Sequence, residues 1–525
     1  MNKDEERKNK QLEELNTIKE ALLRHQQVVG DKLYFRVPRN NGTLEALPIE
    51  SKELKDYMTR YLVDEYGLIL NRNSWETVKS YVLGDIPSSV FTNKANRIAI
   101  KDGAIYYDLH NEYDEVLSYI EIKDGDWSIQ HGDTEIFWWN QFSKEQVLPD
   151  KKQGDYLLLK KYLNLREEDM ILALVYIASC FIPGYQHPIF NISGEQGTGK
   201  STISKIIKAL LDPVKGSSLS NFSDGKDGLQ MQLAQFYLTV FDNTENLKPS
   251  LNSVFCQAVT GGVTYKRKFY AQDTLIPTEL RSIVILNGIT SGIRKEDLLS
   301  RTVFVETLPL PAYGEANKIE EEFKEDLPKI LGGVLTVVAK ALQIKTEVKL
   351  SASYRMMEFT ALGYAIAESI GDGLGEKFME AMKRNEHYQL QEMKKSEPLI
   401  SVFQNFLRIN HDGICWPVEK VYEDIVRNDI FHTGLGSSAK ELPKAPNALS
   451  RKVKALQSLF LKYGIIVEIG TIPSNDYHTL TITYAEKDTN QAPVDDSSLQ
   501  QQIKNVRGKV ARKPIRFIRR PIIYQ

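Results

Sequence analysis

A glycine-rich loop between an apolar strand and a helix is the feature that most constrains this chain. From Gly194 to Ser201 the sequence reads Gly-Glu-Gln-Gly-Thr-Gly-Lys-Ser, directly after an apolar run that ends at Ser193. A helix-forming run then continues to Leu211. This order matches the pattern G-x-x-x-x-G-K-[ST], in which glycines let backbone N–H groups turn toward a phosphate. The sequence therefore predicts an α/β fold with a nucleotide site at this loop.

The expected ligand of the loop is ATP with Mg²⁺. Lys200 would reach the β- and γ-phosphates, and the Ser201 hydroxyl would take a place on the metal. A second apolar run, 236–241, ends at Asp242, which is the acid expected to hold the metal with Ser201. The residues expected to contact the nucleotide are Gly194, Glu195, Gln196, Gly197, Thr198, Gly199, Lys200, Ser201 and Thr202.

The sequence offers more than one candidate for the group that activates the attacking water. Asn243 follows Asp242 at a position where many such ATPases carry Glu. Glu195 in the loop and Glu245 after the strand are the acids nearby, and each is equally consistent with a surface acid.

Two further polar residues follow in the same segment. A third apolar run, 281–286, stops at Asn287, which is suited to hydrogen-bond the γ-phosphate or the attacking water. Arg301 ends the segment Asp-Leu-Leu-Ser-Arg and precedes another strand. Its guanidinium is suited to stabilise phosphoryl charge, and a structural ion pair is the alternative.

Composition and charge restrict the class of protein, its cellular compartment and its partners. The chain is 42% hydrophobic and 26% charged, as is common for soluble globular proteins, and its three cysteines lie far apart, against a Cys-based metal site. The longest uncharged apolar run, 170–182, is shorter than the about 20 residues that span a bilayer. We therefore expect a cytoplasmic protein without a membrane partner. Cations crowd residues 504–520, which indicates either a polyanion partner or a solvated, disordered end.

The order of loop, acid, asparagine and arginine resembles the AAA+ ATPases, in the branch near superfamily III and minichromosome-maintenance helicases. The resemblance is closest to ATPases of phages and mobile elements, which include self-loading replicative helicases of cassette chromosomes and pathogenicity islands. It covers residues 97–470, and 186–365 most specifically. It implies a ring, commonly a hexamer, with Arg301 acting in trans and Arg355 as a sensor on a helical lid. The matching segments are Gly194–Ser201, Phe241–Asn243, Thr260–Gly262 and Arg355–Phe359.

This resemblance and the shifts in composition predict the division of the chain. The expected parts are a charged helical arm (1–27), an α+β amino-terminal domain (28–149), an AAA+ P-loop ATPase core (150–345), a helical lid (346–395), a winged-helix domain (396–485), and a polar linker with a basic tail (486–525).

Two groups of cations are expected to face DNA. Lys266, Arg267 and Lys268 follow Tyr265 and precede Phe269 and Tyr270, between the acid strand and Asn287. In similar helicases a basic hairpin at this place projects into the central channel, and the alternative is a charged edge strand that resists aggregation. The second group lies on the third helix of the expected winged helix, where protein contact is the alternative, and comprises Arg451, Lys452 and Lys454.

Together these features predict an ATP-dependent DNA helicase or helicase-like replication initiator of a mobile element or phage. It would translocate on single-stranded DNA as a homo-oligomeric ring, with origin DNA and other replication proteins as partners. One alternative is an AAA+ ATPase that loads or remodels a protein partner without unwinding DNA. Another, which Asn243 permits, is a nucleotide-dependent switch with negligible turnover.

Overall fold

The chain divides into two compact units, the first of residues 1–349 and 354–389 and the second of residues 350–353 and 390–525. The computed structural model describes residues 3–29, 32–38, 44–86, 95–111, 116–132, 136–137, 142–222, 225–267, 275–280, 282–310, 316–345, 348, 355–427, 432, 441–471 and 478–485. The architecture is mixed α/β, with both parallel and antiparallel sheets. Residues 486–525, which hold the predicted polar linker and basic tail, lie outside the described residues.

An antiparallel sheet and its helices form a separate apolar core at the amino terminus. The strands lie in the order β1-β2-β3. The second of the helices begins at Ser51, whose hydroxyl accepts a hydrogen bond from Leu54 N (3.1 Å), and ends before Gly67, where φ is 61°. The elements are Lys3–Leu23, β1 Gln26–Val29, β2 Leu33–Pro38, β3 Leu44–Pro48, Lys52–Tyr66 and Arg72–Gly84.

The first helix differs from the charged arm that the sequence predicts. Ile18, Ala21 and Leu22, in its last turns, are fully buried in this amino-terminal core. The apolar positions are few, but they share one face, and this face packs against the sheet and the two later helices. The end of the helix is therefore a core element.

A second antiparallel sheet belongs to the core of the following segment. It runs in chain order, as β4 Ile98–Lys101, β5 Ala104–Asp108, β6 Ser118–Lys123 and β7 Asp126–His131. Trp127 Nε1 donates to Thr336 Oγ1 (3.0 Å), and the Tyr107 hydroxyl donates to the carbonyl of Leu211 (3.2 Å). The predicted domain 28–149 therefore consists of two sheets with different cores, because the second sheet packs onto helices that lie much later in the chain.

A parallel sheet is the centre of the first unit. Its order is β13-β8-β12-β9, and a separate antiparallel hairpin, β10–β11, precedes β12. All residues of β8, β9 and β12 are buried, as in parallel sheets covered on both faces. Because the strands are parallel, the segments after β8, β9 and β12 meet at one edge. The strands are β8 Ile189–Ser193, β9 Leu238–Phe241, β10 Gly262–Arg267, β11 Leu275–Leu280, β12 Ile283–Gly288 and β13 Thr302–Glu306.

Helices cover this sheet and also protect its β13 edge. Asn385 accepts from Phe304 N (2.9 Å) and donates to the Thr302 carbonyl (3.2 Å), which also accepts from Gln389 (2.8 Å). The segment Tyr156–Tyr162 is a 3-10 helix. The elements are the 3-10 helices Tyr156–Tyr162, Thr244–Asn246 and Pro249–Leu251, and the α-helices Glu167–Ser179, Lys200–Leu211, Lys226–Gln235, Asn252–Thr260, Glu296–Leu299, Ala316–Ile344, Met357–Ile370 and Leu374–Ser396.

Among the described residues, one helix segment, Lys318–Ile344, is long and apolar enough to cross a membrane by length and composition alone. This helix is not an uncharged run like 170–182, because its apolar stretch contains Lys329 and Lys340. Of that stretch 61% is buried inside the protein. Ile330, Val334 and Val338 are fully buried in the core shared with the parallel sheet, so we assign it as a core helix.

The second unit combines short helices with an antiparallel sheet in the order β14-β16-β15. Phe403 stacks on Phe460 in its core, with ring centroids 4.9 Å apart. Two consecutive helices, Pro446–Ala455 and Gln457–Lys462, follow each other in this unit. Their break at Leu456 lets the Gln457 side chain donate to the Val467 carbonyl of β15 (3.0 Å). The elements are Pro398–Ile409, β14 Ile414–Pro417, Val418–Val421, the π-helical turn Tyr422–Val426, Pro446–Ala455, Gln457–Lys462, β15 Ile465–Thr471 and β16 His478–Tyr484.

Candidate functional site

The loop after β8 has a backbone conformation that depends on its glycines. Gly194, Gly197 and Gly199 all have positive φ, at 150°, 80° and 86°. A Cβ atom on Gly194 would lie 2.0 Å from Thr307 Oγ1, so a side chain does not fit there. Gly199 caps the helix Lys200–Leu211, whose first N–H groups lack partners within the helix and can bind an anion. In the rest of the loop and first turn, Glu195 and Gln196 are exposed, Thr198 is buried, and Thr202 is half-buried.

The Lys200 ammonium lies inside this loop. Its Nζ donates to the carbonyls of Gly194 (2.9 Å) and Glu195 (2.6 Å). Partial burial lowers the pKa of Lys200, and the carboxylates of Glu245 and Asp242 oppose that shift. The lysine is thus held beside the two acids by bonds that a phosphate oxygen could replace.

Ser201 and Asp242 meet at the carboxyl edge of the sheet. Ser201 Oγ lies 3.3 Å from Asp242 Oδ1 and 3.4 Å from Oδ2. A hydroxyl beside a carboxylate suits Mg²⁺, which prefers oxygen ligands and keeps several waters and phosphate oxygens. Among the described residues, no group of three or more His, Cys, Asp and Glu side chains could hold a metal, so a metal here would depend on Ser201, Asp242 and the ligand.

Asn287 engages protein groups in this structure. It is fully buried, its Nδ2 donates to Ser204 Oγ (3.0 Å), and its Oδ1 accepts from Asn243 N (3.4 Å). Asn243 is exposed and has a left-handed backbone, with φ at 55°. Asn287 therefore lies between the loop helix and the segment after Asp242, and its side chain would have to turn to contact a phosphate.

The two candidate acids for water activation differ in position. The Glu195 side chain is exposed, whereas Glu245 is half-buried and its Oε1 accepts from Ile289 N (2.7 Å). Glu245 also acts on the pKa of Lys200, which places its charge near the loop. Of the two acids, Glu245 is thus the one whose side chain is held by a hydrogen bond at this edge of the sheet.

Arg301 and Arg355, to which the sequence gives different roles, share one partner. Arg301 Nη2 lies 3.2 Å from Asp297 Oδ1, and Arg355 Nη2 contacts the same oxygen. Partial burial acts to raise the pKa of Asp297, but the Cys256 thiol and the two guanidinium groups outweigh it and hold that pKa below its ordinary value. Burial and the Asp297 charge raise the pKa of Cys256 to about 12. Both arginines are therefore held by a carboxylate in this structure.

Sequence reasoning missed Asp297, Ser204 and Thr307 as members of the site. Asp297 lies four positions before Arg301, a spacing that is typical of local ion pairs. Thr307 and Ser204 have no such signal, because their partners come from distant strands and turns.

The hairpin β10–β11 carries part of the first predicted DNA-facing group. Lys266 and Arg267 lie at the end of β10, opposite Ile276 and Leu275 of β11. Tyr265 in the same strand is 65% exposed. Lys268 lies outside the described residues.

The second predicted DNA-facing group lies on the helix Pro446–Ala455. Arg451 and Lys454 are exposed, whereas Lys452 Nζ lies 2.9 Å from Glu397 Oε1 in an ion pair. The structure therefore leaves Arg451 and Lys454 at the surface and engages Lys452 within its own unit.

Comparisons with known proteins give one family match. The family model of the actinomycete integrative conjugative element replication protein matches residues 155–376. No curated protein matches the sequence. Solved structures of the NrS-1 C-terminal region show a low structural similarity to this chain. One apo structure, of residues 305–718, gives a TM-score of 0.39 at 10% identity over 89% of this chain and 98% of that chain. An A-form apo structure of the same region gives a TM-score of 0.40 at 12% identity over 89% of this chain and 99% of that chain. The segment that holds the loop, Asp242, Asn287, Arg301 and Arg355 is thus similar to a replication protein of mobile elements.

Proposed function

We propose that this chain is an ATP-dependent, Mg²⁺-requiring DNA helicase or helicase-like replication initiator of a mobile element or phage. The observation that carries the proposal is the meeting of Lys200, Ser201 and Asp242 at one edge of a parallel sheet. A cation inside a glycine loop, with a hydroxyl and a carboxylate beside it, supplies the positioning and charge stabilisation that phosphoryl transfer needs.

The sheet supports an AAA+ core with a shared site. Strand β12, in which Asn287 is the last residue but one, lies between the loop strand β8 and the acid strand β9. Arg301 precedes β13, whose other end meets the loop at Thr307. The length of that strand, about 16 Å at 3.3 Å per residue, separates Arg301 from the loop of its own chain. An arginine so placed suits the nucleotide of a neighbouring subunit, as a ring, for example a hexamer, would present it.

The chain's own groups suggest an order of events. Lys200 would exchange the carbonyls of Gly194 and Glu195 for phosphate oxygens. Ser201 and Asp242 would hold Mg²⁺, which when bound neutralises charge on the phosphates. Glu245 would orient water, and Arg301 of a neighbour would stabilise the charge that spreads over the transferred phosphoryl group.

The DNA part of the proposal rests on the replication family match and the hairpin. Lys266 and Arg267 at the end of β10, with the exposed Tyr265, combine charge with an aromatic ring, as single-strand binding requires. In the second unit, a winged helix with Arg451 and Lys454 would add duplex or origin contacts.

The test is steady-state ATP hydrolysis with and without single-stranded DNA. The variants are the triple alanine of Lys266, Arg267 and Lys268, and a control triple alanine of the exposed Arg7, Lys8 and Lys10 that removes the same charge. We expect DNA to stimulate hydrolysis in the wild type and the control, and not in the hairpin variant. If DNA does not change the hydrolysis rate of the wild type or of either variant, the result would favour an ATPase that loads or remodels a protein partner.

A further inference from the structure

Two threonine hydroxyls meet beneath the glycine loop. Thr198 Oγ1 lies 2.6 Å from Thr307 Oγ1, and both residues are buried. Thr198 occupies a free position of the loop pattern, and Thr307 follows the last strand of the parallel sheet. The nucleotide motif therefore does not account for this contact.

Counting protons shows that the two hydroxyls are bonded to each other in either stable arrangement. Thr198 Oγ1 also lies 2.9 Å from the Glu195 carbonyl, and Thr307 Oγ1 lies 3.1 Å from the Ser193 carbonyl. Each hydroxyl has a single proton. When Thr198 donates to Glu195, Thr307 donates to Thr198, and when Thr307 donates to Ser193, Thr198 donates to Thr307. If both donated to carbonyls, lone pairs would face each other at hydrogen-bond distance.

The surroundings of the pair tie the whole loop to the end of β13. Thr307 Oγ1 fills the space that a side chain on Gly194 would need. Asn164 Nδ2 donates to the Thr198 carbonyl (3.1 Å) and to the Leu308 carbonyl (2.6 Å). The first glycine of the loop and both the hydroxyl and the carbonyl of Thr198 are thus fixed to one short segment, 307–308.

We propose that Thr307 is a positioning residue that holds the glycine loop in its phosphate-binding shape through Thr198. The bonds of Lys200 to Gly194 and Glu195 would be given up when the lysine turns to a phosphate. The bond between Thr198 and Thr307 does not involve Lys200, so it remains to hold the loop once nucleotide is bound. This inference rests on the proposed nucleotide function of the loop.

The experiment measures the Kd of a fluorescent ATP analogue for the wild type, Thr307→Val and Thr307→Ser. Valine keeps the shape of threonine, the Ser193 carbonyl keeps the Thr307 N–H (2.9 Å), and Thr198 keeps the Glu195 carbonyl, so the fold should persist. We expect valine to weaken binding about tenfold, as loss of one hydrogen bond can do, and serine to restore it. The control, Thr239→Val, removes a buried hydroxyl from the opposite edge strand and should bind as the wild type does.

Thr198→Val and the double valine variant complete a cycle. If the hydroxyls act as a pair, the double variant loses less affinity than the sum of the two single losses. Wild-type binding by Thr307→Val, additive losses, or failure of serine to rescue would overturn the inference. If Thr307→Val fails to fold, Thr198→Val against Thr198→Ser carries the same test. Failure of the proposed nucleotide function looks different: the wild type itself would then bind no better than Lys200→Ala, and both ideas would fall.

Discussion

Two carboxylates in the first unit each hold two cations, and their burial separates their roles. Asp212 lies 3.2 Å from Arg97 Nε and 2.7 Å from Lys208 Nζ, and its side chain is 3% exposed. Asp297 contacts Arg301 and Arg355, and its side chain is 51% exposed. The chemistry is the same, but only the second cluster is open to water and to a competing anion.

The difference in burial means that the ion pairs of Asp212 are permanent, whereas those of Asp297 can be exchanged for other anions. The Arg97 guanidinium also donates to the carbonyls of Asp108, Lys144 and Pro213, so the buried cluster is satisfied on all sides and joins the second antiparallel sheet to the end of the loop helix. The exposed cluster has weak pairs that salt and phosphate can replace. We infer that the first cluster fixes the fold, and that the second holds arginines that must move.

Arg301→Ala should have the largest effect and acts on the exposed cluster. We expect hydrolysis to fall by about 10³-fold, as for other arginines that stabilise transferred phosphoryl charge, while nucleotide binding persists. Phosphate release and equilibrium binding measure the two. Arg60→Ala, which removes an exposed arginine from an amino-terminal helix, is the control.

Mixing Arg301→Ala with Lys200→Ala protein should restore part of the activity, because a mixed ring contains interfaces with an intact loop and an intact arginine. No rescue in mixtures that assemble would contradict a shared site.

Asp212→Asn should break the buried cluster. It leaves Arg97 and Lys208 buried without their counter-charge, which typically costs about 3–5 kcal/mol of unfolding free energy. Chemical denaturation at pH 7 measures this loss. A loss as small as that of an exposed pair would remove the contrast between the two clusters.

Asp297→Asn should release the exposed cluster with little effect on the fold. Exposed ion pairs contribute about 0–1 kcal/mol, so the free energy of unfolding should barely change. We expect hydrolysis to rise by about two- to fivefold, because Arg301 no longer has to leave a carboxylate before it reaches a phosphate. A fall in hydrolysis would mean instead that Asp297 orients the arginine for its task.

The smallest expected effect is a change at acidic pH in the stability difference between the wild type and Asp212→Asn. Burial acts to raise the pKa of Asp212, but Lys208 and Arg97 outweigh it and hold that pKa below its ordinary value. A carboxyl with a lowered pKa stabilises the fold above the pKa of its unfolded form, about 4, and loses this contribution as the pH falls through the folded value. The stability difference between the wild type and Asp212→Asn should therefore be constant near neutrality and shrink below about pH 4. A difference that persists unchanged in acid would argue against a charged Asp212.

What the sequence predicts well is local. The apolar run before Gly194, the glycine loop and the helix to Leu211 follow from neighbouring residues, as does Asp242 at a strand end. The pair of Lys208 and Asp212 is local as well, because the two lie four positions apart at the end of a helix.

The remaining features depend on tertiary packing. Arg97 meets Asp212 across 115 positions, and Thr198 meets Thr307 across 109. Periodicity and motif spacing carry no information on such pairs. The same limit applies to the second antiparallel sheet, because Thr336, the partner of its Trp127, lies on a helix far along the chain.

The most direct test of the central claim is multiple-turnover phosphate release from ATP and Mg²⁺ by the wild type, Lys200→Ala and Asp242→Asn. We predict sustained turnover by the wild type and none above background by either variant, with all three folded by thermal unfolding. Turnover that survives in Lys200→Ala, or a wild type that binds ATP without turnover, would contradict an ATPase built on this loop.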